Sequence, residues 1–271
     1  MKEGKWERRI RRAQELASIH PYASEGLLFY EKIARFQQSL YAEAESARGK
    51  MKRTGFAGAL RQELDLVFLL THFSPFLSHV ERHAPAALAR SVRELHSRDS
   101  NRWKEILEEF WRDDADLETS LTPVEALTAW IFLQPYAECI AASTDWAVPG
   151  GTPQVCPLCG SKPIVGVLRP EGDGGKRSLI CALCSAEWEF RRIVCPACGE
   201  EDVHKQAVYS AQQISHVRVE ACDTCHSYIK TVDLTKTALA VPVVDELASL
   251  PLNVWAAEHG YTKVHHNLLC I

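Results

Sequence analysis

The sequence contains no uninterrupted run of eighteen or more apolar residues, so it predicts no membrane-spanning helix. We expect no export signal either, because the arginine-rich segment 8–12 is followed by a mixed segment, residues 13–20, instead of an apolar stretch. No Ser-His-Asp grouping, phosphate-binding loop or pair of carboxylates stands out along the chain. We therefore expect a cytoplasmic protein that is not an enzyme and makes no stable insertion into a membrane.

The chain also lacks an excess of basic charge. It carries 31 lysines and arginines against 35 aspartates and glutamates, which gives a net charge of −4. From residue 150 onward, eleven basic and thirteen acidic residues give −2, which leaves −2 for residues 1–149. Neither half has the net positive charge typical of domains that bind nucleic-acid phosphates, so a nucleic-acid partner is disfavoured.

Cysteine, by contrast, is abundant. Eight of the ten cysteines lie in four Cys-x-x-Cys pairs, a pattern that favours metal over disulfides in a reducing compartment. The segment 155–160 recurs thirty-nine residues later as 194–199, and the pair at 181–184 recurs forty-one residues later at 222–225. The region therefore consists of two repeated units.

Each unit can close its own metal site. Two Cys-x-x-Cys loops can hold one ion tetrahedrally, and the gaps of twenty-one residues (160–180) and twenty-three residues (199–221) each fit two strands and a turn. Gly160 and Gly199 follow the first loops, where they supply a positive φ. The predicted metal ligands are Cys156, Cys159, Cys181 and Cys184 at site 1, and Cys195, Cys198, Cys222 and Cys225 at site 2.

Several alternatives stay open. The loops could pair in an interleaved way, with the first and third sharing an ion, or the eight cysteines could be buried without metal. The segment 222–226 also matches a c-type haem attachment motif, although His226 more simply replaces the glycine of the fourth loop. Four sulfur ligands leave no open position for a substrate and suit either zinc or a single iron ion.

The predicted secondary structure changes near residues 147–153, a segment rich in proline and glycine. Before them, apolar residues recur with helical spacing, helices are expected to begin near Pro75 and Pro85, and Thr122 to Glu125 form a capping box. Beyond them lie short β-type runs at 164–168, 177–180, 187–194, 217–220 and 228–232.

The predicted fold class is α+β, and the order of these patterns gives four parts. They are an all-helical N-terminal domain (1–148), two tandem four-cysteine metal modules (149–190 and 191–235) and a short helical tail (236–271).

Taken together, the motifs resemble those of the formate dehydrogenase accessory protein family, the FdhE type. The match is strongest between about residues 155 and 262 and looser in the helical half, where the segment 133–138 agrees. It is carried by Cys156, Pro157, Cys159, Gly160, Ser161, Pro163, Cys184, Ser185, Glu187, Trp188, Arg192, Val194, Cys195, Cys225, Tyr228, Lys230, residues 245–252, Trp255, Glu258, Gly260 and Tyr261.

The resemblance implies that the two modules are rubredoxin-like, a form related to zinc ribbons, and it favours iron over zinc as their metal. It further implies a maturation factor or chaperone that binds the catalytic subunit of a respiratory formate dehydrogenase in the cytoplasm before export. Two other functions stay open: a rubredoxin-like redox carrier, and a zinc-ribbon nucleic-acid-binding protein, which the acidic balance opposes.

Overall fold

The computed structural model of the chain describes residues 4–49, 53–54, 59–112, 120–146, 152–172 and 174–268. Helices form the N-terminal half, a sheet with two four-cysteine clusters follows, and two more helices come near the C-terminus, which confirms the α+β fold class. The helices are α1 (Lys5–Ile19), α2 (Ser24–Arg48), α3 (Leu66–His83), α4 (Ala86–His96), α5 (Ser100–Arg112), α6 (Pro123–Ser143), α7 (Pro242–Ala248) and α8 (Leu250–Glu258).

The helical half packs around α6. Its start is fixed by the predicted capping box, in which the Glu125 amide donates to Thr122 Oγ1 and the Thr122 amide donates to Glu125 Oε2. Helix α6 buries side chains on all sides and contacts α2, α3, α4 and α5. None of the helices in the described ranges has both the length and the apolar composition needed to cross a membrane.

The prediction that a helix begins at Pro75 is wrong, because α3 runs from Leu66 through Pro75 to His83. A proline inside a helix costs roughly 3 kcal/mol. Phe73, Phe76 and Leu77 on either side of it are fully buried, and each contributes roughly 1.5–3 kcal/mol by leaving water. Burial of this helix face therefore outweighs the loss of one backbone hydrogen bond. Pro85 lies directly before α4, as expected.

The strands of both repeated units form one sheet. A short β1 (Arg53–Thr54) pairs with β2 (Thr144–Asp145) outside it. The first unit supplies β3 (Pro163–Glu171), β4 (Gly174–Cys181) and β5 (Glu187–Glu189), the second supplies β6 (Gln206–Ser210), β7 (Val217–Cys222) and β8 (Ser227–Asp233), and β9 spans Thr262–Lys263. The order in the sheet is β5-β4-β3-β8-β7-β6, with β9 beside β8.

The two units are joined where β3 and β8 pair in parallel, with Gly166 opposite Thr231. A Cβ atom at position 166 would collide with the Thr231 side chain, so this close approach requires glycine. Residues 147–151, at the predicted boundary between the helical half and the first unit, lie outside the described residues. The four domain ranges given above stay predictions.

A buried ion network fastens the C-terminal helices to the sheet. The Lys230 ammonium of β8 lies 2.8 Å from Glu246 Oε1 of α7 and also donates to the Ser249 hydroxyl at 3.0 Å. Lys263 and Asn267 donate to the same carboxylate, and the lysine and glutamate side chains are at most 3% exposed. Although burial raises it, the two lysines lower the pKa of Glu246 to about 2.

We predict that Glu246→Gln lowers the free energy of unfolding by about 3 kcal/mol, because it leaves two buried ammonium groups without their counter-charge. The ionised carboxylate stabilises the fold above its ordinary pKa of 4.5, and this contribution is lost as the pH falls from there towards about 2. Denaturant unfolding at several pH values measures both effects.

The matched control is Glu201→Gln, in the exposed pair of Glu201 with Arg191, which should cost less than about 1 kcal/mol. Equal losses from the two variants would contradict the role of the buried network.

Candidate metal centres

The eight predicted ligands form two clusters, each made by one repeated unit. In each cluster the four Sγ atoms lie within 4.8 Å of one another: Cys156, Cys159, Cys181 and Cys184 in the first; Cys195, Cys198, Cys222 and Cys225 in the second. The thiols are thus grouped sequentially and not in the interleaved arrangement. That they ligate metal stays a prediction.

The sulfur spacing fits a tetrahedral ion. Close Sγ–Sγ distances are 3.3 and 3.6 Å at site 1 and 3.7 Å for both close pairs at site 2. A tetrahedron with metal–sulfur bonds of about 2.3 Å has edges of about 3.8 Å, whereas a disulfide would need about 2.05 Å. Either cluster could therefore hold one metal ion through four sulfurs, with no position left for a substrate.

The four loops share one backbone conformation. The residue after the second cysteine has a positive φ in every loop: 79° at Gly160, 54° at Ser185, 77° at Gly199 and 53° at His226. In three loops the first cysteine's amide donates to the carbonyl five residues later, and Cys222 pairs with Ser227 in the fourth. Amides inside the loops are then free to donate to sulfur, as those of Leu183 and Ala197 do at 3.4 and 3.3 Å.

His226 thus replaces the loop glycine, as expected. Sequence reasoning missed the same role for Ser185. Aligning Cys181–Cys184 with the other loops would have found it, since Ser185 stands where Gly160 and Gly199 stand in theirs.

Site 1 is enclosed between the sheet and the helical half. All four of its cysteines are buried. The Trp130 indole and the Gln134 amide of α6 both donate to the Ala182 carbonyl in the second loop, at 3.0 and 2.9 Å. Arg61 donates to the Cys159 carbonyl at 3.0 Å and to the Ser161 hydroxyl at 2.8 Å. Both loops of site 1 are therefore held by residues outside the repeated units, and no local pattern in the sequence indicated these contacts.

Site 2 lies at the surface. Cys198 is exposed and Cys225 is half-buried. Its loops are held within their own unit and by the tail, since Thr224 donates to Glu200 at 2.6 Å and the Tyr261 hydroxyl donates to Asp223 at 2.6 Å. The two repeated clusters therefore differ in access rather than in ligand chemistry.

The close packing of the thiols shifts their pKa values in opposite directions. Hydrogen bonds from Cys156 and its neighbours lower the pKa of Cys159, whereas burial raises the pKa of Cys181, and sharing a hydrogen bond with Cys156 raises that of Cys184. At site 2, burial opposes ionisation, but hydrogen bonds from Ser227 lower the pKa of Cys225 to about 7. Without a cation, one thiolate forms at the expense of its neighbours, and only a bound cation stabilises four together.

The histidines between the loops of the second unit and the two remaining cysteines are not part of either cluster among the described residues. His216 contacts Asp245 at 2.8 Å, and His204 is exposed in a short 3₁₀ helix. Cys139 is buried in α6, and Cys270 lies outside the described residues. Cys222 and Cys225, the two cysteines of the haem-like motif, are part of the site 2 cluster.

Comparison with known proteins gives one consistent result. The model of the "FdhE, central domain" matches residues 155–192, and that of the "FdhE, C-terminal domain" matches residues 193–270. An FdhE homologue of Aquifex aeolicus is 26% identical, over 96% of this chain and 93% of its own length. One from Shewanella oneidensis is 37% identical, but that match covers 42% of this chain and only 38% of the relative. The crystal structure of the FdhE protein from Pseudomonas aeruginosa has the same fold, with a TM-score of 0.68 at 24% identity, over 100% of this chain and 97% of that one.

We predict that a strong chelator removes metal from the fully loaded protein in two phases. The first should release one ion per chain, roughly tenfold faster than the second, because Cys198 and Cys225 of site 2 are accessible without opening the fold. The measurement is metal release followed with a coloured chelator. The double variant Cys198→Ser, Cys225→Ser should lack the fast phase, whereas Cys139→Ala should keep both phases. A single phase of two ions would contradict the difference in access.

We also predict that His226→Gly raises the free energy of unfolding by about 1 kcal/mol with unchanged metal content, because it relieves a side chain held at positive φ. The comparison is thermal or denaturant unfolding of the metal-loaded protein. The same substitution at His204, where φ is not positive, should instead be neutral or destabilising. A loss of stability in the His226 variant would show that its side chain, not its backbone, matters.

Proposed function

Because this chain belongs to the FdhE family, we propose that it is an accessory protein required for the activity of a formate dehydrogenase. In this proposal it acts in the cytoplasm, binds the catalytic subunit of that enzyme before export, and catalyses no reaction of its own. The observation that carries the proposal is the match of residues 155–270 to two consecutive FdhE domains, whose cysteines form both clusters.

The geometry of the clusters supports a binding role. A catalytic zinc site keeps an open position for water or substrate, whereas four sulfur ligands close the coordination sphere. Closed sites contribute folding free energy and make the region between them rigid. A rigid sheet attached to a helical half provides a surface for another protein, and we propose Cys156, Cys159, Cys181 and Cys184, and Cys195, Cys198, Cys222 and Cys225, as the two ligand sets.

The metal is part of the proposal. Iron is favoured by the family resemblance, and zinc is the alternative that tetrahedral sulfur ligation also suits. The exposure of Cys198 favours one second function, a rubredoxin-like electron carrier, because electron transfer needs a metal centre near the surface. Native purification with metal counting and an absorption spectrum tests whether the protein is an electron carrier. Red protein with reversible one-electron reduction supports a carrier. Colourless zinc protein that still supports formate oxidation rules a carrier out.

We predict that deletion of the gene abolishes formate-dependent reduction of an electron acceptor while the catalytic subunit is still produced, because the chain acts on that subunit after its synthesis. Activity assays and immunoblots of the same cells measure the two quantities. The wild-type gene on a plasmid should restore activity, and the empty plasmid is the control. Full activity in a clean deletion strain would overturn the proposal.

A further inference from the structure

Beside site 2 the surface is unusually apolar. Of the ten large apolar side chains exposed in the described part of the chain, Ile193, Val203 and Val208 line a single groove. They are 48%, 53% and 57% exposed. The same groove is lined by the site 2 residues Cys195 and Cys222. Apolar patches of this kind mark surfaces that bind other molecules.

The groove is also positively charged. Arg177, Arg192 and Arg218 line it together with one carboxylate, Glu220. Glu220 already accepts from Arg177 and Arg218, both at 2.6 Å, and Arg192 is exposed and forms no ion pair with another described residue. Arg177 is buried beneath the groove and balances Glu220, so Arg192 and Arg218 supply the accessible positive charge, on a chain whose net charge is −4. The charge complement of this groove, the arginine groove, is an acidic side chain.

The arginine groove borders an open sheet edge. Strand β6 lies at the end of the strand order and pairs, among the described residues, with β7 alone. Its residues 206–210 include no charged side chain and no proline. The opposite edge, β5, carries Glu187 and Glu189, which pair with Arg169 and Lys176. Charged edge strands discourage pairing with another chain, so β5 is protected and β6 is not.

A second groove flanks β6 towards its other end. This groove, the aromatic groove, is lined by Tyr209 and by Trp255 of α8, whose rings lie 4.2 Å apart, and Val208 borders both grooves. Tyr209 is opposite Val219, and Val208 is opposite Glu220. Because neighbouring strand residues point to opposite faces, the side chains of Val208 and Tyr209 lie on different faces of the sheet, with Glu220 on the face of Val208 and Trp255 on the face of Tyr209. A strand added to β6 would direct alternate side chains into the two grooves.

We propose that β6 is the docking strand for an extended acidic segment of the client protein. Backbone hydrogen bonds to β6 bind the segment as an additional strand, acidic side chains contact the arginine groove, and apolar side chains pack on Tyr209 and Trp255. This inference rests on the proposed function, which makes the client the catalytic subunit of a formate dehydrogenase. A second copy of this chain fits less well, because pairing β6 with its symmetry mate would place two arginine grooves of the same charge beside each other.

The test measures binding of the full, metal-loaded chain to two probes. One is the purified catalytic subunit, and the other is a ten-residue peptide in which glutamate and valine alternate. Val208→Lys, which places a charge on the edge, and Arg192→Glu, which reverses a charge in the groove, should each weaken both interactions at least about tenfold. Val67→Lys, the same substitution at an exposed valine of α3, should leave them unchanged. A peptide with lysine in place of glutamate should bind at least about tenfold more weakly.

Amide hydrogen exchange locates the contact. Residues 206–210 should become protected when either probe binds. Val208 and Arg192 are both exposed, so the variants should keep the metal content and circular dichroism of the wild type. If Val208→Lys misfolds, the affinity of Arg192→Glu alone decides whether the docking site is correct.

Wild-type affinity of both variants for the subunit, or protection elsewhere, would overturn the docking site while the accessory function stands. Failure of the wild-type chain to bind the subunit would overturn both proposals. A wild-type dimer that Val208→Lys dissociates would assign β6 to self-association instead.

Discussion

Four thiols within 4.8 Å of one another impose the constraint on which the C-terminal half of the molecule depends. Thiolates at that separation repel one another, and burial raises the cost of each charge, so the full set of sulfurs ionises only around a cation. A bound cation would join two loops that are more than twenty residues apart in the chain. Metal binding and folding would then be one equilibrium, because the loops converge only in the folded sheet.

The same chemistry is used twice in different surroundings. At site 1, α6 and Arg61 donate hydrogen bonds to the loop carbonyls, so the cysteine loops also form a contact between the helical half and the sheet. At site 2, the loops are held by a hydrogen bond within their own unit and by the tail, through Tyr261 and the amide of Thr262, and one cysteine stays exposed. The first cluster therefore contributes to the interior of the protein, and the second contributes to its surface.

The features that were predicted correctly from the sequence are formed by residues a short distance apart in the chain. The capping box of α6, the pairing of loops within each unit and the role of His226 all follow from residues close together in the chain. The helix through Pro75 could not be predicted locally, since buried neighbours decide it. Strand β6 was missed because its five residues alternate only weakly, and it is defined by its pairing with β7. The predicted strand 187–194 stops at Glu189, because the following residues lead into the first loop of site 2.

The parallel pairing of β3 with β8 has a consequence for the whole surface. It places the first unit's β5 and the second unit's β6 at opposite edges of one sheet, although the two units are repeats. An uncharged edge strand exposes a protein to unwanted pairing, and β5 shows how two glutamates avoid that. An edge left open next to the accessible cluster is therefore expected where pairing is useful. Backbone pairing accepts many sequences, and the two flanking grooves would then supply the selectivity that an edge strand alone lacks.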